Sequence, residues 1–356
     1  MATRSRARDL GVPFEGTTGR FNAITDVAGV RVGHTTLIRD GKPDLSDAVR
    51  TGVTSIVPRP NTDTQAVFAG WFSLNGYGEL TGTHWIDEAG ILDGPILATN
   101  TLSVGVVQSA VVEYARQHGL ALERWSLPVV GETWDGHLND IRGMHVRTEH
   151  AFAALDQAES GAVAEGNVGG GTGMVCYDFK GGIGTASRLV DVEGRFTVGV
   201  LVQANHGLRN QLTIAGVPVG SRLTEGARRR TETGSILGFV ATDAPLLPHQ
   251  LARLARRCSL GLARSGSVSG NGSGDLFLAF STANEGAVEG PAVRHVSALA
   301  ETRLDPFFRA VVEATDEAVV NCLVAAETMV GVDGHRIEAL PKDSLTALLQ
   351  EYHRVG

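Results

Sequence analysis

Glycine sets the terms on which this chain can fold. There are 45 glycines among 356 residues, well above the roughly 7% usual in proteins, and their placement carries the information. They follow no collagen-like period and form no linker. Instead they gather beside apolar runs, as in GNVGGGTG (Gly166–Gly173) and GSVSGNGSG (Gly266–Gly274). A residue without Cβ lets one backbone lie against another, or against a small substrate, at distances a side chain forbids. A strand-rich fold with close backbone approaches is expected.

The runs between these clusters read as alternating strands and helices. Short β-runs cover Asn22–Thr36 and Gly52–Val57, the second ended by Pro58. Ile91–Thr99 leads into Thr101–His118, where Val104, Val107, Ala110, Val111 and Tyr114 recur at helical spacing before Gly119. Strands follow at Gly182–Ser187 and Val198–Gln203. Ser235–Thr242 is another, with Asp243 expected to cap a helix starting near Pro245. That helix carries Leu247, Leu251, Leu254, Cys258 and Leu262 on one face, with Arg253, Arg256 and Arg257 turned away. LFLAFS (Leu276–Ser281) is a continuous apolar strand, Pro306–Val330 a long helix and Ser344–His353 a terminal one. Apolar density stays even, with no internal repeat or linker, so one α/β domain with helices covering a mixed sheet is expected over residues 1–356.

Composition narrows the partners. With 42% hydrophobic residues the chain can build a large core. A net charge of -8 gives no sequence-independent grip on nucleic acid or an anionic membrane, so small-molecule substrates are expected. The N-terminal stretch has no apolar core of a signal peptide, and no run of about 18 apolar residues occurs, so the expected location is cytoplasmic. Cys176, Cys258 and Cys322 lack CxxC spacing, and Cys258 and Cys322 fall on apolar helical stripes.

Three chemistries can be weighed against plainer readings. The 11 histidines form no HExxH, no HxH and no Cys pairing at ligand spacing, so a zinc site is not expected. Gly166–Gly173 invites a nucleotide loop, but MVCYDFKGG after it reads as strand rather than a phosphate-capping helix, and the P-loop lysine is missing. Arg228–Arg230 reads as a solvated loop rather than a nucleic-acid contact.

Gly234-Ser235 is different. Glycine then serine before a strand is ordinarily a turn, yet the same pair suits self-cleavage: the hydroxyl attacks the preceding carbonyl, and water then releases a new N-terminus. Glycine on the acyl side clears the path and permits strained backbone. The freed α-amine, titrating near 7.7–8 when unperturbed, then serves as base for its own hydroxyl. Ser273 and Asp275, two apart at the lip of an apolar strand, are candidates to orient that hydroxyl, with an Asx-turn as the plainer reading. Asn205, ending the run LVQAN, is placed to donate to an oxyanion, or is simply a turn residue.

At these residues the chain resembles the self-processing aminopeptidases that include L-aminopeptidase/D-esterases and β-peptidyl aminopeptidases. The matching stretches are NAITDVAGVRVGHTT, NGYGELTG, GETWDGHLNDI, LVQANHG, TGSILGFVATDAPLLPHQLARLARR, GNGSGD and NCLVAAETMVG, which span nearly the whole chain in order. The resemblance implies a four-layer αββα sandwich like that of N-terminal nucleophile hydrolases, with different strand connectivity. It implies cleavage between Gly234 and Ser235 into chains 1–234 and 235–356, assembled as a homo-oligomer, a tetramer of two-chain units. By motif, Ser235 is the nucleophile, Ser273 and Asp275 assist it and Asn205 is the oxyanion donor, and the resemblance implies neither metal nor cofactor. Glu132 is implied to hold the substrate ammonium and Trp134 to form an aromatic wall. Some relatives place a tyrosine hydroxyl near the oxyanion; with Trp134 there, an indole N–H is the donor available. A glutamate can also stand where this chain has Asp275.

The function expected is hydrolysis of N-terminal residues from small peptides, amides or esters through an acyl-enzyme on Ser235. Two other readings remain open: a self-cleaving N-acyltransferase of related fold, and a small-molecule binding protein that never cleaves.

Overall fold

The computed structural model describes residues 5–59, 66–120, 127–227, 234–286 and 292–354. The Arg228–Arg230 run therefore lies outside the described residues. In chain order the elements are β1 (Arg31–Arg39), β2 (Val49–Val57), β3 (Val67–Gly76), α1 (Thr83–Ala89), β4 (Ile91–Leu92), β5 (Ile96–Asn100), α2 (Val104–Gln117) and β6 (Val129–Thr133). Then come α3 (Thr148–Asp156), β7 (Val175–Cys176), β8 (Phe179–Lys180), β9 (Gly182–Asp191), β10 (Arg195–Asn205), α4 (Val219–Arg222) and β11 (Ser235–Thr242). The chain ends with α5 (Pro248–Arg264), β12 (Gly274–Ser281), α6 (Asp305–Ala325), β13 (Met329–Val330), β14 (Arg336–Ile337) and α7 (Lys342–Glu351).

Two sheets form the centre, one in the order β1-β2-β5-β6 and one in the order β4-β3-β12-β11-β10-β9. Side-chain alternation explains how they stack. Along β11, Ile236 and Val240 join one apolar cluster while Leu237, Phe239 and Ala241 join another. Along β12, Phe277 and Ala279 go with the first and Leu276, Leu278 and Phe280 with the second. The first cluster includes Leu251, Leu254 and Cys258 of α5 and Val311, Ala314 and Ala318 of α6. The second includes Ile56, Ile96 and Ala98 of the other sheet. The far face of that sheet packs Val53, Leu97 and Val130 onto Val107 and Val111 of α2 and Ala151 and Ala154 of α3. Helices, sheet, sheet, helices: this is the expected αββα sandwich. Both sheets are covered on both faces, which is why β11 and β12 read as unbroken apolar runs.

Several boundaries differ from the sequence expectation for local reasons. Asn22–Thr36 is a short 3₁₀ turn at Ile24–Asp26 followed by β1, not one strand. The helix after β11 begins at Pro248, because Asp243 accepts the Thr197 N–H at 2.7 Å across the sheet instead of capping. The long helix stops at Ala325, where Ala326 turns extended and the Glu327 N–H is taken by Asn167 Oδ1 at 2.9 Å. MVCYDFKGG is a tight β7–β8 hairpin, turned by Tyr177 and Asp178, both at positive φ. Among the described residues no helix is long and apolar enough to cross a membrane.

The two glycine clusters play the packing role their composition suggests. Gly169–Gly171 form a buried 3₁₀ turn between the sheets. A Cβ added at Gly170 would stand 2.1 Å from Gln203 Oε1 and 2.7 Å from the Ala98 carbonyl oxygen. This is a backbone wedge with no space for a phosphate.

Candidate active site

Ser235 opens β11, the strand in the middle of the larger sheet, opposite Asn205 on antiparallel β10 and Gly274 on parallel β12. It is in phase with Leu237 and Phe239, so its side chain enters the space between the sheets, at the end of β6. There the Trp134 backbone N–H points at Ser235 Oγ, 3.4 Å away. Ser235 is 3% exposed. The residue before it can only be glycine: a Cβ at Gly234 would stand 2.5 Å from the Asn205 carbonyl oxygen and 2.8 Å from His206 Cα. Both are backbone atoms that cannot swing aside. The Gly234 carbonyl accepts the Gly274 N–H at 3.1 Å, which fixes its direction.

Ser273 and Asp275 meet as the sequence suggests. Ser273 Oγ donates to Asp275 Oδ1 at 2.7 Å, and both residues are buried. Asp275 is in phase with Phe277 on the helix-facing side of the sheet, and Ser273 precedes the strand on a turn closed by its N–H to the Gly270 carbonyl. Among the described residues no hydrogen bond joins this pair to Ser235 while the 234–235 peptide is intact. Asn75 supports the pair: its Nδ2 reaches the Ser269 carbonyl at 2.7 Å and Asp275 Oδ2 at 3.3 Å. Sequence reasoning gave Asn75 no role, although it starts the NGYGELTG stretch; a β-bulge between Asp275 and Leu276 sets its alignment, and bulges leave no sequence signature as plain as alternation.

Asn205 closes β10 with its amide already committed. Oδ1 accepts the Val175 N–H at 2.8 Å and Nδ2 donates to the Trp134 carbonyl at 2.9 Å. An amide nitrogen carries two hydrogens, so one remains for an incoming oxyanion. The same side chain thus ties the hairpin at Val175 to the loop after β6. The neighbouring His206 was not singled out from sequence either: its carbonyl accepts the Tyr177 N–H at 2.7 Å and its Nδ1 lies 3.9 Å from Cys176 Sγ.

Glu132 and Trp134 follow from β6, whose parallel pairing with β5 sets Glu132 beside Thr99. The Glu132 carboxylate is buried, accepting the Thr101 hydroxyl on Oε2 and the Glu79 N–H on Oε1 at 3.1 Å. Burial pushes its carboxyl above the usual range, against those two hydrogen bonds. Trp134, 41% exposed, is the open side of the site. The next residue, Asp135, is fully buried, and that burial lifts its carboxyl to about 7; Asn139 Nδ2 donates to it at 3.0 Å. Among the described residues no group of three or more His, Cys, Asp or Glu side chains could hold a metal ion.

The chain has relatives along nearly its whole length. The profile of peptidase family S58 matches residues 22–337. The beta-peptidyl aminopeptidase BapA of Sphingosinicella microcystinivorans is 50% identical over 99% of this chain and 93% of its own. That of Sphingosinicella xenopeptidilytica is 48% identical over 97% and 91%. Among solved structures, a Burkholderia sp. beta-aminopeptidase superposes with a TM-score of 0.90 at 49% identity, over 98% of this chain and 99% of that one. The L-aminopeptidase D-Ala-esterase/amidase of Ochrobactrum anthropi, a serine aminopeptidase with a variant of the Ntn hydrolase fold, superposes at 0.93 with 46% identity over 99% of both. A chain matched over nearly its whole length in sequence and in fold, with a glycine-only position before a serine at the head of the central strand, belongs to peptidase family S58.

Proposed function

We propose that the protein is a serine aminopeptidase that cuts itself between Gly234 and Ser235 and then uses Ser235, as the new N-terminus, to release the N-terminal residue of small peptides, amides or esters. In the first step the Ser235 Oγ–C bond to the Gly234 carbonyl carbon forms, the Gly234–Ser235 amide bond breaks, and the hydroxyl proton passes to the leaving nitrogen. Water then hydrolyses the ester to give chains 1–234 and 235–356. In turnover the freed amine accepts the hydroxyl proton as Ser235 attacks the substrate carbonyl and returns it to the leaving amine; water, deprotonated by the same amine, then attacks the acyl-enzyme carbonyl, breaking the ester to release the N-terminal residue and restore the Ser235 hydroxyl. Asn205 Nδ2 donates its remaining hydrogen to the oxyanion. Glu132, its carboxyl group held by the Thr101 hydroxyl and the Glu79 N–H, receives the substrate ammonium; Trp134 lines the open side. Ser273 and Asp275, on the other face of the sheet from the Ser235 hydroxyl, act on the nucleophile through its new α-amine.

The observation that carries the reading is the junction itself: a carbonyl held by the Gly274 N–H, a glycine that no other residue can replace, and a serine hydroxyl next in the chain. The curated relatives at about half identity are named for β-peptidyl substrates, so peptides with an N-terminal β-amino acid are the first class to assay, alongside L- and D-residues. The two-chain units are proposed to assemble as a tetramer in the cytoplasm. Ser235→Ala tests the proposal. It should fold, remain one chain and hydrolyse no member of a p-nitroanilide panel, whereas hydrolysis retained by that variant would put the nucleophile elsewhere.

A further inference from the structure

The loop between β3 and α1 holds an aromatic residue that the reaction above does not use. Tyr77 is 78% exposed, the most exposed of the large apolar or aromatic side chains described. Among the described residues no hydrogen bond or ring contact fixes it. Its backbone, in contrast, is pressed into the site. Gly76 pairs with Gly274, the register partner of Ser235. A Cβ on Gly274 would stand 2.5 Å from the Tyr77 carbonyl oxygen. One residue on, a Cβ at Gly78 would stand 3.2 Å from Gly274 Cα and 3.3 Å from Glu132 Oε1. Glu79 then gives its N–H to Glu132.

Tyr77 is thus mounted between the nucleophile's neighbouring strand and the carboxylate assigned to the substrate ammonium. Trp134 also borders the serine: its backbone N–H points at Ser235 Oγ, and the residue is 41% exposed. A single exposed aromatic is unremarkable on a protein surface. Two of them on the loops that border one buried serine and one buried carboxylate offer apolar area beside a polar reacting centre.

We propose that Tyr77 is a specificity-determining residue: with Trp134 it grips the side chain of the substrate's N-terminal residue, favouring aromatic and bulky apolar residues over small ones. The inference rests on the aminopeptidase reading. The ring acts by stacking and area, so its hydroxyl is dispensable.

The test uses the processed protein with p-nitroanilides of an aromatic residue and of alanine, in the same stereochemical series. Tyr77→Ala should raise KM for the aromatic substrate by about threefold to tenfold and leave its kcat and the alanine constants within twofold. Tyr77→Phe should match the parent enzyme on both. Self-cleavage, followed by intact mass, should be unchanged in both variants, which separates substrate grip from a folding defect. Equal KM changes for both substrates, or none, would overturn the proposal, and so would a loss of kcat in Tyr77→Phe, which would assign the hydroxyl a chemical role. If the parent enzyme hydrolyses neither substrate, the failure lies with the aminopeptidase reading instead.

Discussion

Replacing Asn205 with alanine separates what this amide does for the fold from what it does for the reaction. On the structural side, the Val175 N–H loses its acceptor at 2.8 Å, and a buried donor left unpaired costs about 1–3 kcal/mol. The Nδ2 bond to the Trp134 carbonyl is lost as well, about 1 kcal/mol more. The total is about 2–4 kcal/mol. Unfolding entropy near 2.1 cal/mol/K per residue over 356 residues converts this to a melting point lower by about 3–5 °C. The variant therefore folds at 25 °C with reduced margin. On the chemical side, losing one oxyanion donor lowers kcat by about 10²–10³. Melting curves and steady-state kinetics at 25 °C, well below the transition, read the two effects independently. If the melting point drops as calculated while kcat stays within threefold, Asn205 is scaffold alone and the oxyanion assignment fails.

Other substitutions follow from the same geometry. Glu132→Gln should raise KM for substrates with a free ammonium about tenfold to a hundredfold, since a hydrogen bond to a charged group contributes about 1.5–3 kcal/mol; because burial disfavours the carboxylate, its melting point at pH 8 should hold or rise, and an unchanged KM removes the ammonium role. Asp135 titrates near 7 in the folded chain and near 3.8 unfolded, so the folded state keeps a proton that the unfolded state has lost. Its contribution to stability is full below about pH 4 and is lost as pH rises through 7. Asp135→Asn should flatten the fall in urea midpoint between pH 5 and pH 8, and an identical fall in both proteins would contradict this. Gly234→Ala forces a Cβ to 2.5 Å from the Asn205 carbonyl, so it should persist as a single chain in an intact-mass time course; processing at the parent rate would mean the junction backbone is freer than its packing indicates.

What the sequence made legible was whatever local pattern dictates. Ser235–Thr242 and its helix-bearing neighbour could be drawn because both faces of β11 are buried and the stripe of Leu251, Leu254 and Cys258 is amphipathic. The candidate residues came from motifs, and the fold brings Ser273 to Asp275 and Ser235 to the Trp134 N–H. The rest depended on contacts distant in sequence. Asp243 looked like a cap until Thr197, 46 residues away, claimed it. Asn75 and Asp275 are 200 residues apart and aligned by a bulge. The double commitment of the Asn205 amide, and the phase difference that puts Asp275 on the opposite face of the sheet from Ser235, arise from strand register, which one chain read alone does not reveal.

Stepwise end-group sequencing of the purified, active protein tests the central claim most directly. Two amino ends are predicted, the second reading Ser-Ile-Leu-Gly-Phe from Ser235. An active preparation that yields only the original amino end would contradict the account.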